Sequence, residues 1–246
     1  MLFGPKIEEM LGAQQYKSML AEYRNRLMPE NHPDAIRVRR VMTRLIEVSG
    51  LPELDWKIHV IADNREPPNA FVLPGGKVFV FSRILPICAN DDGLATVLSH
   101  ETAHQVARHS GEKLSQQPFY MIAAMAAWLL TGSSSIANTF MSLLFEMPSS
   151  RQMESEADYI GLLMMSQACF NPQEAVPFWG RMEKMAGGEQ IEFLSTHPSS
   201  QRRQEQMQEW MPKALEARAA AGCDNGQDLF GFYNHLQRTS DSLFGN

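Results

Sequence analysis

His100 and His104 flank Glu101 in the run Ser99-His100-Glu101-Thr102-Ala103-His104, a His-Glu-x-x-His pattern. Positions four apart on a helix lie about 40° apart around its axis, so both imidazoles project from one face and can hold one metal ion. Zinc suits two neutral imidazoles plus a carboxylate and keeps a fourth position for water. It lowers the pKa of that water toward neutrality, and Glu101 can take the proton as the nucleophile forms. A five-residue pattern with two free positions also arises by chance, so a third ligand is the deciding feature. Glu154-Ser155-Glu156-Ala157-Asp158 offers one on a second helix, where Glu154 and Asp158 lie one turn apart and face the same way. One carboxylate can bind the metal while the other hydrogen-bonds the distal nitrogen of a ligand histidine and fixes its tautomer. Glu156 points elsewhere and reads as a surface residue.

His197 lies in a turn before a helix, within Leu194-Ser195-Thr196-His197-Pro198. It could stabilise the oxyanion of a tetrahedral intermediate, occupy the open zinc position in a resting state, or simply bond nearby backbone. His109 is five residues beyond His104 and falls off the ligand face. His32, His59 and His235 have no partner pattern and read as surface or strand residues.

The elements that must position these groups read as mostly helical with one small sheet, an α+β arrangement. Ile7, Met10, Leu11, Tyr16, Met19, Leu20, Tyr23 and Leu27 recur at helical spacing. Asn31 and Pro33 start a second helix that Gly50 stops. Trp56–Ile61 alternates as a strand, and Ala70–Leu73 with Val78–Phe81 flank a Pro-Gly-Gly-Lys turn, a hairpin pattern. Asp91 or Asp92 caps a helix running to about Glu112. Ser149 or Ser150 caps another over roughly 150–168. Asn171-Pro172 starts the next, and Pro198 and Pro212 punctuate the last ones.

The 246 residues suffice for one large domain, and neither repeats nor a Pro- or Ser-rich linker divide them. We expect a domain over 1–221 and a tail over 222–246. Hydrophobic residues make up 44% and charged ones 20%, which excludes a disordered chain. A net charge of −6 gives no reason to expect nucleic-acid binding. Residues 114–145 carry no charge and read as two apolar helices broken at Thr131–Ser135, either buried or dipping into a bilayer interface. Three cysteines are too few for a disulfide scaffold. Cys88 reads as a buried thiol, while Cys169 and Cys223 are either bonded or, as the favoured expectation, free.

Taken with Glu154-x-x-x-Asp158, the His100–His104 motif resembles the gluzincin family that includes the CAAX prenyl proteases and HtpX-type proteases. Within it the resemblance is closest to the Oma-type mitochondrial inner-membrane peptidases. It rests also on Asn69–Phe81 and on Leu194–Ser199 with Arg203 six residues after His197, and covers about Ile7 to Arg218. The resemblance implies a zincin-type domain holding one zinc ion on His100, His104 and Glu154. It places Asp158 behind His100, His197 as an oxyanion or switch group, and Arg203 as an ion-pair partner. It further implies that Asn69, Ala70, Phe71, Val72 and Leu73 form an edge strand beside the active-site helix that pairs with extended substrate.

The implied activity is zinc-dependent cleavage of membrane or membrane-associated proteins, in quality control and stress-triggered processing. The implied location is the mitochondrial inner membrane, with the peptidase domain facing the intermembrane space. Oma-type proteins carry a presequence and a membrane segment ahead of that domain, and this sequence shows neither pattern. One rival is a bacterial periplasmic quality-control protease, which would add helical repeats; no period of about 34 residues appears. The other is a silent chaperone or scaffold, which would be expected to lose Glu101 or a ligand.

Overall fold

A computed structural model describes residues 4–63, 65–116, 150–186, 192–197 and 201–223, with Ile122, Ala126 and Leu129 between. Most of 114–145, and with it the expected helix pair, lies outside these residues, as do Pro198, His235 and the tail from 224.

Helices α1 (Pro5–Tyr23) and α2 (Pro33–Val48) precede strands β1 (Lys57–Ile61), β2 (Ala70–Leu73) and β3 (Lys77–Phe81). A short helix α3 (Leu85–Cys88) leads into α4 (Asp91–Val106) and α5 (His109–Gln116). Then come α6 (Arg151–Gln167), α7 (Ala175–Ala186), α8 (Glu192–Thr196) and α9 (Gln201–Ala220). No described helix is long and apolar enough to cross a membrane.

The strands lie in the order β1-β3-β2, with β3 parallel to β1 and antiparallel to β2. Gly75 and Gly76, both with positive φ, turn the β2–β3 hairpin. Alternation splits β3 between two cores. Val78 and Val80 join Val60 and Ala70 against α2, α4, α6 and α7, while Phe79 and Phe81 pack with Ile61, Leu73, Met19 and Tyr23.

Helix α4 is the central element, with Gly93 through His104 buried on every side. It meets α6 at Gly161, where a Cβ would stand 3.0 Å from the His100 backbone nitrogen. Only a glycine lets the two helix backbones come this close.

Several ends differ from expectation. Tyr23 ends α1, and Leu27 instead forms an isolated bridge with Ile61. Early in α1, Ile7 and Met10 are exposed, because the buried stripe there is Glu8 and Gly12. Asn90, not Asp91 or Asp92, caps α4, its Oδ1 accepting from the Gly93 N–H at 2.8 Å. Asp91 is drawn off by Arg37 and Arg40. The helix expected to reach Glu112 breaks after Val106, with Arg108 left-handed at φ 57°. Pro212 sits inside α9 without ending it; at an exposed position, water can take up the carbonyl that the ring leaves unpaired. Ser150 caps α6, and His32 caps α2 by accepting from the Asp34 N–H. His59 lies in β1, bonded to the Tyr16 hydroxyl at 2.9 Å.

Cys169 and Cys223 form a disulfide, against the expectation of free thiols, and Cys88 is a buried thiol. The bond arises because α6 and α9 pack side by side and end at the same level, a tertiary fact that spacing does not carry.

Candidate metal centre

Helices α4 and α6 supply the centre, and α8 and α9 close it. His100 and His104 face the same way from α4, their Nε2 atoms 3.2 Å apart. Glu154, in the first turn of α6, reaches between them. Its Oε2 lies 3.4 Å from His100 Nε2, and its Oε1 lies 3.4 Å from His104 Nε2. His197 follows α8, its backbone N–H held by the Phe193 carbonyl. Its ring turns inward, with Nδ1 2.9 Å from Glu154 Oε1 and Nε2 3.3 Å from Glu101 Oε1. The turn reading of His197 therefore fails: its imidazole belongs to the centre. Phe193 lies along that ring, with centroids 4.8 Å apart.

His100, His104, Glu154 and His197 each present one donor atom, all within 4.8 Å of one another, and all four residues are buried. Asp158 sits behind His100, its Oδ1 3.0 Å from Nδ1. A carboxylate only accepts, so this contact places a ring hydrogen on Nδ1 and turns Nε2 toward the centre. Imidazole and carboxylate lone pairs meeting at about 3 Å repel unless a proton or a metal ion lies among them. This nitrogen and oxygen donor set is one that zinc takes.

Arg203 of α9 grips Asp158 with two nitrogens, at 2.6 and 2.8 Å, and its third reaches Glu154 Oε2 at 3.0 Å. Its guanidinium lies over the Trp179 ring, whose edge meets His100. Burial lowers the pKa of His100, but the carboxylates of Asp158 and Glu154 outweigh it and raise the value to about 9. Burial would raise the pKa of Glu154; the charge of His197 and the three histidine contacts hold it far below the usual carboxylate range. Glu101 is pushed upward by burial, which His197 and His100 only partly oppose.

Two residues read as bystanders in the sequence lie against the centre. His109 Nδ1 is 2.7 Å from His104 Nδ1, and His109 Nε2 is 3.3 Å from Glu156 Oε2. Neither is among the four converging donors, yet His109 backs His104 directly and Glu156 backs His109. Helical spacing hid them, because the break at Arg108 turns His109 under His104. The contact of Arg203 with Glu154 had no local signal either.

Asn69–Leu73 contains β2, the end strand of the sheet, and β2 packs against α4. The Phe193 N–H donates to the Pro68 carbonyl at 3.5 Å, linking α8 to the start of this strand.

A His-Glu-x-x-His helix joined by a carboxylate from a second helix over a small sheet is the scaffold of a zinc metallopeptidase. Peptidase family M48 matches residues 33–211, and the chain belongs to that family. It is 46% identical over 234 residues to the mitochondrial metalloendopeptidase OMA1 of Saccharomyces cerevisiae, covering 89% of this chain and 68% of that protein. It is 32% identical to the human metalloendopeptidase OMA1, mitochondrial, over 91% of this chain and 46% of that protein. The beta-barrel assembly-enhancing protease of Escherichia coli is 28% identical over 61% of this chain and 34% of its own length. The chain thus spans about two thirds of the length of the yeast relative and about half that of the human one. It is a zinc-dependent metalloendopeptidase by family and by donor set.

Proposed function

We propose that this metalloendopeptidase works in mitochondria, cleaving membrane or membrane-associated proteins at the inner membrane from the intermembrane-space side. The mitochondrial reading is supported by the yeast relative at 46% identity, against 28% for the bacterial one. Residues 1–221 form the peptidase domain and 222–246 a tail. The observation that carries the chemistry is the convergence of four buried donors on one point beside the Glu101 carboxyl.

His100, His104 and Glu154 would hold one zinc ion, with Asp158 orienting His100. Zinc bound there supplies Lewis acidity to the scissile carbonyl and to the attacking water. Glu101 is the group placed to accept a proton from an attacking water and return it to the departing amine. Burial suits it to both tasks, because a carboxyl whose pKa is raised above the ordinary carboxylate value is a stronger base and holds the proton it takes. Extended substrate adds to β2 along Asn69, Ala70, Phe71, Val72 and Leu73. Main-chain bonding there reads little side-chain sequence, in keeping with a quality-control role.

Glu101→Gln should keep one equivalent of zinc and lose chelator-sensitive peptide cleavage, a drop of about 10²–10⁴ for removal of a general base. Glu154→Ala should lose zinc as well. Cleavage by Glu101→Gln at the wild-type rate would overturn the mechanism.

His197 stands in the donor group, in contact with Glu154 and Glu101, and this favours a capping role in the resting enzyme. His197→Ala should then cleave faster. Slower cleavage, by about 10²–10³, would make it an oxyanion donor instead. Membrane contact through 114–145 is tested by co-sedimentation of the chain with liposomes; absence from the lipid pellet removes it.

A further inference from the structure

We propose that His109 and Glu156 set the tautomer of His104, turning its Nε2 lone pair toward the metal position. Both are positioning residues, and the proposal rests on the zinc-peptidase reading above.

The three groups form one line from the surface inward: Glu156 Oε2, 3.3 Å to His109 Nε2, then His109 Nδ1, 2.7 Å to His104 Nδ1. A carboxylate only accepts, so His109 carries its hydrogen on Nε2. A neutral imidazole has a single N–H, which leaves His109 Nδ1 as an acceptor. Two ring nitrogens at 2.7 Å share one hydrogen, and it must therefore belong to His104 Nδ1. His104 Nε2 is then bare, and it is the atom that faces Glu154 and His100. Ligand histidines bind through a neutral ring whose other nitrogen donates outward, which is the state this line enforces.

The arrangement is built, because it depends on a break that no helix requires. Arg108 takes a left-handed φ of 57°, an unfavourable conformation for a residue with a side chain. Its guanidinium pairs with the buried Glu8 carboxylate of α1. Glu8 in turn occupies the space that a side chain at position 111 would need, since a Cβ on Gly111 would lie 2.2 Å from Glu8 Oε1. Helix α1 thus holds the α4–α5 corner that brings the buried His109 ring beneath His104.

The test measures zinc affinity of the whole chain by chelator competition, and the His104 ring nitrogens by ¹⁵N NMR. His109→Leu fills the space but offers no acceptor and should bind zinc about 10–100-fold more weakly. His109→Asn returns an amide oxygen near the Nδ1 position and should recover most of that loss. A buried space-filler would show the reverse order, since leucine is the better apolar fit. Glu156→Ala should weaken binding by up to about fivefold, the range of a half-exposed partner. Wild-type affinity in His109→Leu, or equal losses in Leu and Asn variants, overturns the proposal; an unchanged Glu156→Ala removes Glu156 from it. Should the leucine variant fail to fold, the wild-type spectrum decides: His104 must carry its hydrogen on Nδ1, and a hydrogen on Nε2 refutes the line. A wild-type chain that takes up no zinc instead overturns the zinc-peptidase reading itself, a result distinct from these.

Discussion

The two histidines of α4 are supported in opposite ways. Behind His100 stands a charged pair, Asp158 and Arg203, whose side chains are 1% and 8% exposed under α9. Behind His104 stands a neutral ring, His109, and beyond it a carboxylate, Glu156, that is 53% exposed. The deep side uses full charges, compensated by a two-pronged ion pair and shielded from water. The outer side uses polarity alone and leaves its charge in solvent, where it is cheap to keep. The difference makes the inner side a matter of folding as well as of metal binding, and the outer side a matter of metal affinity.

The sharpest way to break that distinction is Arg203→Met, which leaves Asp158 and Glu154 as buried carboxylates without their cation. Removing one partner of a buried pair costs about 3–5 kcal/mol, so the denaturation midpoint should fall steeply. A loss no larger than that of an exposed arginine would show the two sides to be alike. Next comes the disulfide, which ties the ends of α6 and α9 and so clamps the helices bearing Asp158 and Arg203. Closing a loop of 54 residues is worth up to about 4 kcal/mol in the chain-entropy model. Reduction should lower the melting temperature and cleavage together, without changing any ligand. Unchanged melting after verified reduction would free the deep side from this clamp.

The smallest effect concerns protons. His100 holds its proton up to about pH 9, because Asp158 and Glu154 raise its pKa above the ordinary value despite burial. Zinc must displace that proton, so affinity should fall about tenfold for each pH unit below about 9. Titration of zinc uptake with proton counting checks this. In Asp158→Asn the pH slope should flatten first at the high end, since His100 loses its main charged partner; an unchanged slope would assign the proton elsewhere.

Much of this centre was legible in advance wherever one helix sufficed to carry the information. The shared face of His100 and His104 follows from four-residue spacing, and so does that of Glu154 and Asp158. The apolar runs on either side of the Pro-Gly-Gly-Lys turn marked the β2–β3 hairpin. Expectations failed where a partner distant in sequence overrode a local signal. Asp91 was drawn from its capping role by Arg37 and Arg40. Pro212 was absorbed into α9 because its lost hydrogen bond faces water. The first turns of α1 set Glu8 against Arg108 and Gly12 against Pro74, which left Ile7 and Met10 on the outside.

By itself, then, the sequence determined the donor types, their placement on two helices and the hydrolytic chemistry those donors allow. All of these depend on periodicity within one element, which backbone geometry sets residue by residue. Only the tertiary structure decided the distance between α4 and α6, the inward turn of His197, the Cys169–Cys223 bond and the line from Glu156 through His109 to His104. Each of these joins segments whose relative position comes from packing: Gly161 against the His100 backbone, Phe193 along the His197 ring, and Glu8 holding the left-handed corner at Arg108. No local propensity encodes such a corner, because its cost at one residue is offset by a contact about a hundred positions away.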